Sequence, residues 1–131
     1  MDFSAGTVTK INEHIIEVFF SKDAEIDERM SIELLDKLYA LSKGQPHALL
    51  YNFNKRNVII PDIARKLSGR RNYNNANLIS RAMVSQNIVS GIESAHYINY
   101  DKPDAETKLF NSKDKALVWL NQKVEAFLHT S

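Results

Sequence analysis

The side chains in this chain with a capacity for chemistry are amides, guanidinium groups and hydroxyls gathered in two loops. Asn52, Asn54, Arg56 and Asn57 crowd the first, with Lys55 among them, and Ser85, Gln86 and Asn87 make up the second. Groups of these types donate and accept hydrogen bonds and can hold an anion, so they point to recognition. Asparagine also forms turns by bonding its own backbone, and the same residues serve equally as loop formers. A second cluster is basic: Arg65, Arg70 and Arg71, with Lys66 and Tyr73 nearby. Such a cluster has the charge to grip phosphate on RNA, a nucleotide or a lipid head group. Asp62 lies close to it, and 17 Lys plus Arg against 16 Asp plus Glu leave a net charge of +1. A solvated helix end accounts for the cluster, and that balance gives no general pull toward nucleic acid.

Reactive constellations are absent from the sequence. There is no cysteine, which excludes disulfides, thiolate catalysis and cysteine-held metal. The histidines His14, His47, His96 and His129 form no metal-spaced pair with another His, Asp or Glu on one helix face in this reading. No serine sits in a Gly-x-Ser-x-Gly elbow, and the four glycines are too scattered for a phosphate loop. The expectation is a protein with no catalytic residue, no metal and no cofactor.

The loops need a scaffold, and the chain supplies one. With 131 residues and 44% hydrophobic content it has the size and composition of one domain, residues 1–131. No apolar stretch is long enough for an integral membrane segment, and Met1 to Gly6 do not read as a secretion signal, so a cytoplasmic protein is expected. Ala48 to Phe53 is a short apolar run between Gly44-Gln45-Pro46 and Asn54 to Asn57, the pattern of a central buried strand. Before it, Thr7 to Ile11 and His14 to Phe20 read as a hairpin turning at Asn12-Glu13. In its second strand Ile16, Val18 and Phe20 share one face, while Ile15, Glu17 and Phe19 share the other. Asp27 caps a helix carrying Met30, Leu34, Leu38 and Leu41, which Gly44 ends. After the central strand, Val58 to Ile60 lead to Pro61 and a short helix with Ile63, Ala64 and Leu67. Leu78 to Val84 is the next strand. A helix follows with Ile88, Val89, Ile92 and Ala95, then a strand at Thr107 to Phe110. The closing helix shows the clearest amphipathic stripe, Ala116, Leu117, Leu120, Val124, Phe127 and Leu128. Asn111 with Asp114 reads as its capping pair, and Trp119 as cover for the sheet edge.

Alternating strands and helices predict an α/β domain with a mostly parallel sheet of four to five strands: the N-terminal hairpin, then β-α units. Crossovers are right-handed, and neighbouring successive strands would put the helices mainly on one face. Glu17 on a mixed face agrees with an open second face. Phe19, Ile15 and Tyr51 would then form an exposed apolar patch inviting a partner or a second copy of the chain, a homodimer.

Two stretches carry a family likeness. Ala82-Met83-Val84-Ser85 leads into Ile88-Val89-Ser90 and on to Lys102-Pro103. Thr107-Lys108-Leu109-Phe110-Asn111 is followed by Asp114-Lys115-Ala116-Leu117 and Trp119-Leu120. A short strand ending in Phe, a capped turn and Ala-Leu-x-Trp-Leu resembles the closing unit of STAS/SpoIIAA-like (anti-sigma-factor-antagonist-like) domains, nearest to uncharacterised STAS-like domains of Bacteroidota. The resemblance implies a regulatory binding module and not an enzyme. Antagonists of that family carry a phosphorylatable Ser or Thr where the helix after the central strand begins. This chain has Ile60-Pro61-Asp62 there and no hydroxyl from Asn52 through Leu67. The phosphorylation switch is therefore not carried over. Ligands of open α/β sheets favour the carboxyl ends of the parallel strands. The expected rim is thus Asn52, Asn54, Arg56, Asn57, Ser85 and Gln86, facing an unknown protein partner or, as the alternative, a small ligand or lipid.

Overall fold

The computed structural model describes residues 1–61, 77–87, 91–92, 94–95, 98 and 105–130. The chain opens with three antiparallel strands, β1 (Asp2–Phe3), β2 (Gly6–Lys10) and β3 (Ile15–Phe20). Asn12 closes the β2–β3 turn: its Oδ1 accepts from the backbone N–H groups of His14 and Ile15, both at 3.0 Å. This is the local bonding that favours asparagine in turns. At Gly6 a Cβ would lie 1.8 Å from the Phe19 carbonyl oxygen, so only glycine lets β2 pair with the end of β3.

After β4 (Ala24–Glu25) comes α1 (Glu28–Ser42). Asp27 caps it as its residue type predicts, accepting at 2.8 Å from the N–H of Met30. The helix ends where Lys43 (φ 53°) and Gly44 (φ 70°) both turn left-handed, and the Lys43 N–H closes on the Tyr39 carbonyl at 2.8 Å. Then follow β5 (His47–Asn54), β6 (Val58–Ile59), β7 (Leu78–Ser85), β8 (Thr107–Phe110) and α2 (Lys113–Thr130). Between β7 and β8, Gly91–Ile92 and Ser94–Ala95 are helical, with the Gly91 N–H bonded to Asn87 O at 2.9 Å. The short helix expected after Pro61 lies outside the described residues.

The main sheet runs β1-β2-β3-β5-β7-β8 and is parallel from β3 onward, with β5 at its centre as the apolar run predicts. It has six strands against the expected four to five; β1 is the addition, and its two residues carry too little pattern to read. Val58–Ile59, read from the sequence only as the lead-in to Pro61, is a short strand that stands apart, pairing with β4 in a separate two-stranded sheet.

The expectation of helices mainly on one face is corrected. Leu34 and Leu38 of α1 bury one face, over Ile16, Val18, Leu49, Tyr51 and Met83. Ala116, Leu120 and Val124 of α2 bury the other, over Ile15, Leu50, Ala82 and Val84. The handedness rule governs only helices that join two parallel strands. It places α1, and Ile98 from the β7–β8 connection packs on that same face. The last helix follows the edge strand β8 and joins no two strands of the described sheet, so the rule does not fix its side, and it covers the face that α1 leaves open. The expected apolar patch therefore does not exist: Ile15 is fully buried under α2 and Tyr51 is buried in the cluster under α1. Among the described residues no helix is long and apolar enough to cross a membrane.

Candidate functional site: the carboxyl end of the sheet

The carboxyl ends of β3, β5 and β7 meet at one end of the sheet, and most of the expected rim gathers there. β5 finishes on Asn54, whose φ of 55° is left-handed, and whose N–H donates to Asn52 Oδ1 at 2.9 Å. The Asn54 carbonyl accepts from the Gln86 N–H at 3.2 Å, so the two loops are joined through their backbones. Ser85 turns its own loop: its Oγ donates to the Asn87 carbonyl at 2.8 Å and accepts from the Asn87 N–H at 3.3 Å. Asn87 reaches back through Nδ2 to Lys55 O at 3.4 Å. Asn52, Asn54, Ser85 and Gln86 are thus brought together. Arg56 sits on a turn closed by its N–H on Phe53 O at 3.1 Å, with its side chain exposed. Asn57 is drawn to one side: its N–H donates to Asp23 Oδ1 at 2.9 Å and its carbonyl accepts from the Ala24 N–H at 2.9 Å. It belongs to the β4–β6 pair. The basic cluster Arg65, Arg70 and Arg71 lies outside the described residues.

Two residues at this end escape the sequence reading, Glu17 and Lys113. Glu17 is 8% exposed on the face that α2 covers. Its Oε2 accepts from Asn52 Nδ2 at 3.0 Å, and its Oε1 accepts from Lys113 Nζ at 3.0 Å. Lys113 is the first residue of α2, and the helix is capped just before it, by Ser112 and not by Asn111. Ser112 Oγ accepts from the Lys115 N–H at 3.2 Å. A carboxylate sent under a helix would be costly if left unpaired; here one amide and one ammonium satisfy it. The signal for Glu17 was present, a single acid alternating with Ile15 and Phe19. Nothing in the sequence tied it to a lysine 96 positions away.

The groups at this end are hydrogen-bond donors and acceptors and exposed cations. The side chains of Asn52, Ser85, Asn87 and Glu17 are spent on holding the loops and α2 in place. Lys55, Arg56 and Gln86 are exposed on those loops. No group of three or more metal-ligating side chains occurs among the described residues. One sequence statement needs correcting: Glu125 and His129 do share a face of α2, four positions apart, with Oε1 and Nε2 3.5 Å from each other. Both are exposed, and a pair is too few ligands for a structural metal site.

This arrangement of helices and strands is a SpoIIAA-like fold. A crystal structure of an uncharacterized protein from the DUF3478 family with a SpoIIAA-like fold, from Shewanella loihica PV-4, is similar to it with a TM-score of 0.51. The likeness covers 87% of this chain and 90% of that one at 13% identity, and so speaks for the fold alone. The chain itself belongs to the family described as Domain of unknown function (DUF7793), whose model matches residues 9–124. No curated protein matches it.

Proposed function

We propose that this protein is a non-catalytic regulatory or protein-interaction module of the cytoplasm, and that its partner engages the carboxyl end of the sheet. The observation carrying this reading is the division of labour at that end. The inner polar side chains bond one another and the backbone, and the outer donors of Lys55, Arg56 and Gln86 stand on loops fixed by those bonds. Donors held on rigid loops suit recognition, because little freedom is lost when a partner binds. The SpoIIAA-like fold is consistent with such a role, and this chain lacks the hydroxyl that would make it a phosphorylation-switched antagonist. Partner charge should be acidic, given Lys55 and Arg56.

The test is crosslinking and affinity capture from the source cell with the native chain and with a Lys55→Glu/Arg56→Glu variant. A protein held by the native chain and lost by the variant supports the reading. A partner held equally by both sinks it. A small molecule retained by the native chain and lost on changing Asn54 and Arg56 would favour ligand binding at the same rim instead.

A further inference from the structure

At the other end of the sheet, where β3 and β5 begin, a cavity of about 460 Å³ opens between three segments. The β2–β3 region contributes Lys10 and His14, the α1–β5 turn contributes Lys43 and His47, and the last turns of α2 contribute Phe127 and Leu128. Its size falls within the range of roughly 300–1,000 Å³ typical of small-molecule sites. Phe127 and Leu128 are 37% and 48% exposed, although one to two turns earlier the same helix buries Leu120 and Val124 against the sheet. The apolar end of α2 thus stands beside the cavity with part of its surface in water.

Charge at the cavity is one-sided. Lys10 and Lys43 are both exposed and form no ion pair among the described residues. Glu13 is the one acid in the described lining. His47 forms part of the wall and is only 2% exposed. Its Nδ1 lies 2.8 Å from the Gln45 carbonyl and donates to it, while its buried Nε2 has no hydrogen-bond partner among the described residues. Folded proteins leave few such atoms unsatisfied, and a water, an ion or a ligand group commonly meets those that face a cavity. An anion beside this wall would favour the protonated ring, in which Nε2 becomes a donor.

We propose that this cavity binds a small organic anion, a carboxylate on a compact apolar body, with the carboxylate toward Lys10 and Lys43 and the apolar part against Phe127 and Leu128. The site lies at the end of the sheet remote from the rim and does not depend on the rim's function. Two lysines at the edge of an apolar cavity supply charge complementarity, and the apolar wall supplies the area.

Calorimetric titration with 4-phenylbutyrate, and with its uncharged amide 4-phenylbutyramide, tests the proposal. The native chain should bind the carboxylate about tenfold more tightly than the amide. A Lys10→Gln/Lys43→Asn variant should lose that preference, asparagine being chosen because it tolerates the left-handed backbone at position 43. Phe127→Ser should weaken both compounds. Thermal melts confirm that each variant folds, as expected for exposed positions. An Arg56→Glu change at the rim should leave both affinities as they were. No saturable binding of the carboxylate up to about 10 mM overturns the proposal, as do equal affinities for acid and amide in the native chain. A preference that survives the double lysine change also overturns it.

Discussion

Beneath α1 the buried core holds aromatic rings and polar groups; beneath α2 the buried core is aliphatic, with alanines on strands and helix, the Phe110–Trp119 pair at its margin and Glu17 at one end. On the α1 side Phe20 meets Phe3 edge-on at 5.7 Å and Phe53 at 5.1 Å. The Arg81 guanidinium lies 5.6 Å from the centre of the Tyr51 ring, and His47 is buried on the same face. On the α2 side Ala48, Ala82 and Ala116 are fully buried, so the helix backbone approaches the sheet closely. The difference follows from how each helix is attached. α1 lies in the connection between the paired strands β3 and β5, which holds both of its ends near the sheet. α2 follows the edge strand β8, and packing plus the Glu17–Lys113 contact hold it on the sheet.

The largest expected effects come from opening each core in turn. Leu38→Ala and Leu120→Ala each remove a fully buried side chain and should each cost about 3 kcal/mol by chemical denaturation. Hydrogen exchange should separate them. In Leu120→Ala the amides of α2 should lose protection while those of α1 and β5 keep theirs; in Leu38→Ala the loss should extend across the sheet. Equal, global loss in both variants would break the proposed asymmetry of attachment.

Acid should act through the α1 side. Burial of the imidazole holds His47 below its ordinary pKa of 6.5, and the nearby positive charge of Arg81 adds to this, while the bond to the Gln45 carbonyl pulls the other way. A base with a lowered folded pKa is neutral in the fold and charged in the unfolded chain. Its full stability is therefore present above pH 6.5 and declines as pH falls below that value, toward the lowered folded pKa. The slope can reach about 1.4 kcal/mol per pH unit for one proton. Denaturation midpoints between neutral pH and mild acid should fall less steeply in His47→Leu than in the native chain. Identical slopes would remove His47 from the account.

Capping should sharpen the comparison at smaller scale. Asp27→Ala and Ser112→Ala each remove one cap acceptor, at about 1 kcal/mol each. Ser112→Ala should show itself locally, as fraying of the first turn of α2 in NMR shifts. Lys113→Met is the smallest change. The lysine is 44% exposed and screened, and Glu17 keeps its bond from Asn52 when the lysine is removed, so losing the contact costs no more than about 1 kcal/mol. The native chain should lose part of that difference in high salt, and the methionine variant should show no such salt dependence.

Much of the scaffold was legible because local patterns and tertiary packing agree. The apolar run around Leu50 lies between β3 and β7 as expected, Asp27 caps α1, Asn12 makes the hairpin turn, and Trp119 packs on Phe110 of the edge strand at 5.6 Å. The rim was legible in part, since Asn52, Asn54, Ser85 and Gln86 follow from where parallel strands end. The backbone of Asn57 is bonded to Asp23 and Ala24, at and just before a two-residue strand with no pattern of its own, so its place beside β4 was not legible. Glu17 misled most. An acid in an apolar strand argues for solvent, and nothing in the local pattern distinguishes an acid facing water from one held by a distant amide and ammonium.

The sequence by itself determined the longer strands, the two long helices and the turns beside them, and that no cysteine chemistry is available, because capping, periodicity and turn formation act over a few neighbouring residues. The tertiary structure alone decided which face the last helix covers, that Glu17 meets Asn52 and Lys113, and that two lysines and the apolar end of α2 border one cavity. Those outcomes depend on contacts between segments far apart in the chain, whose energies no local pattern records.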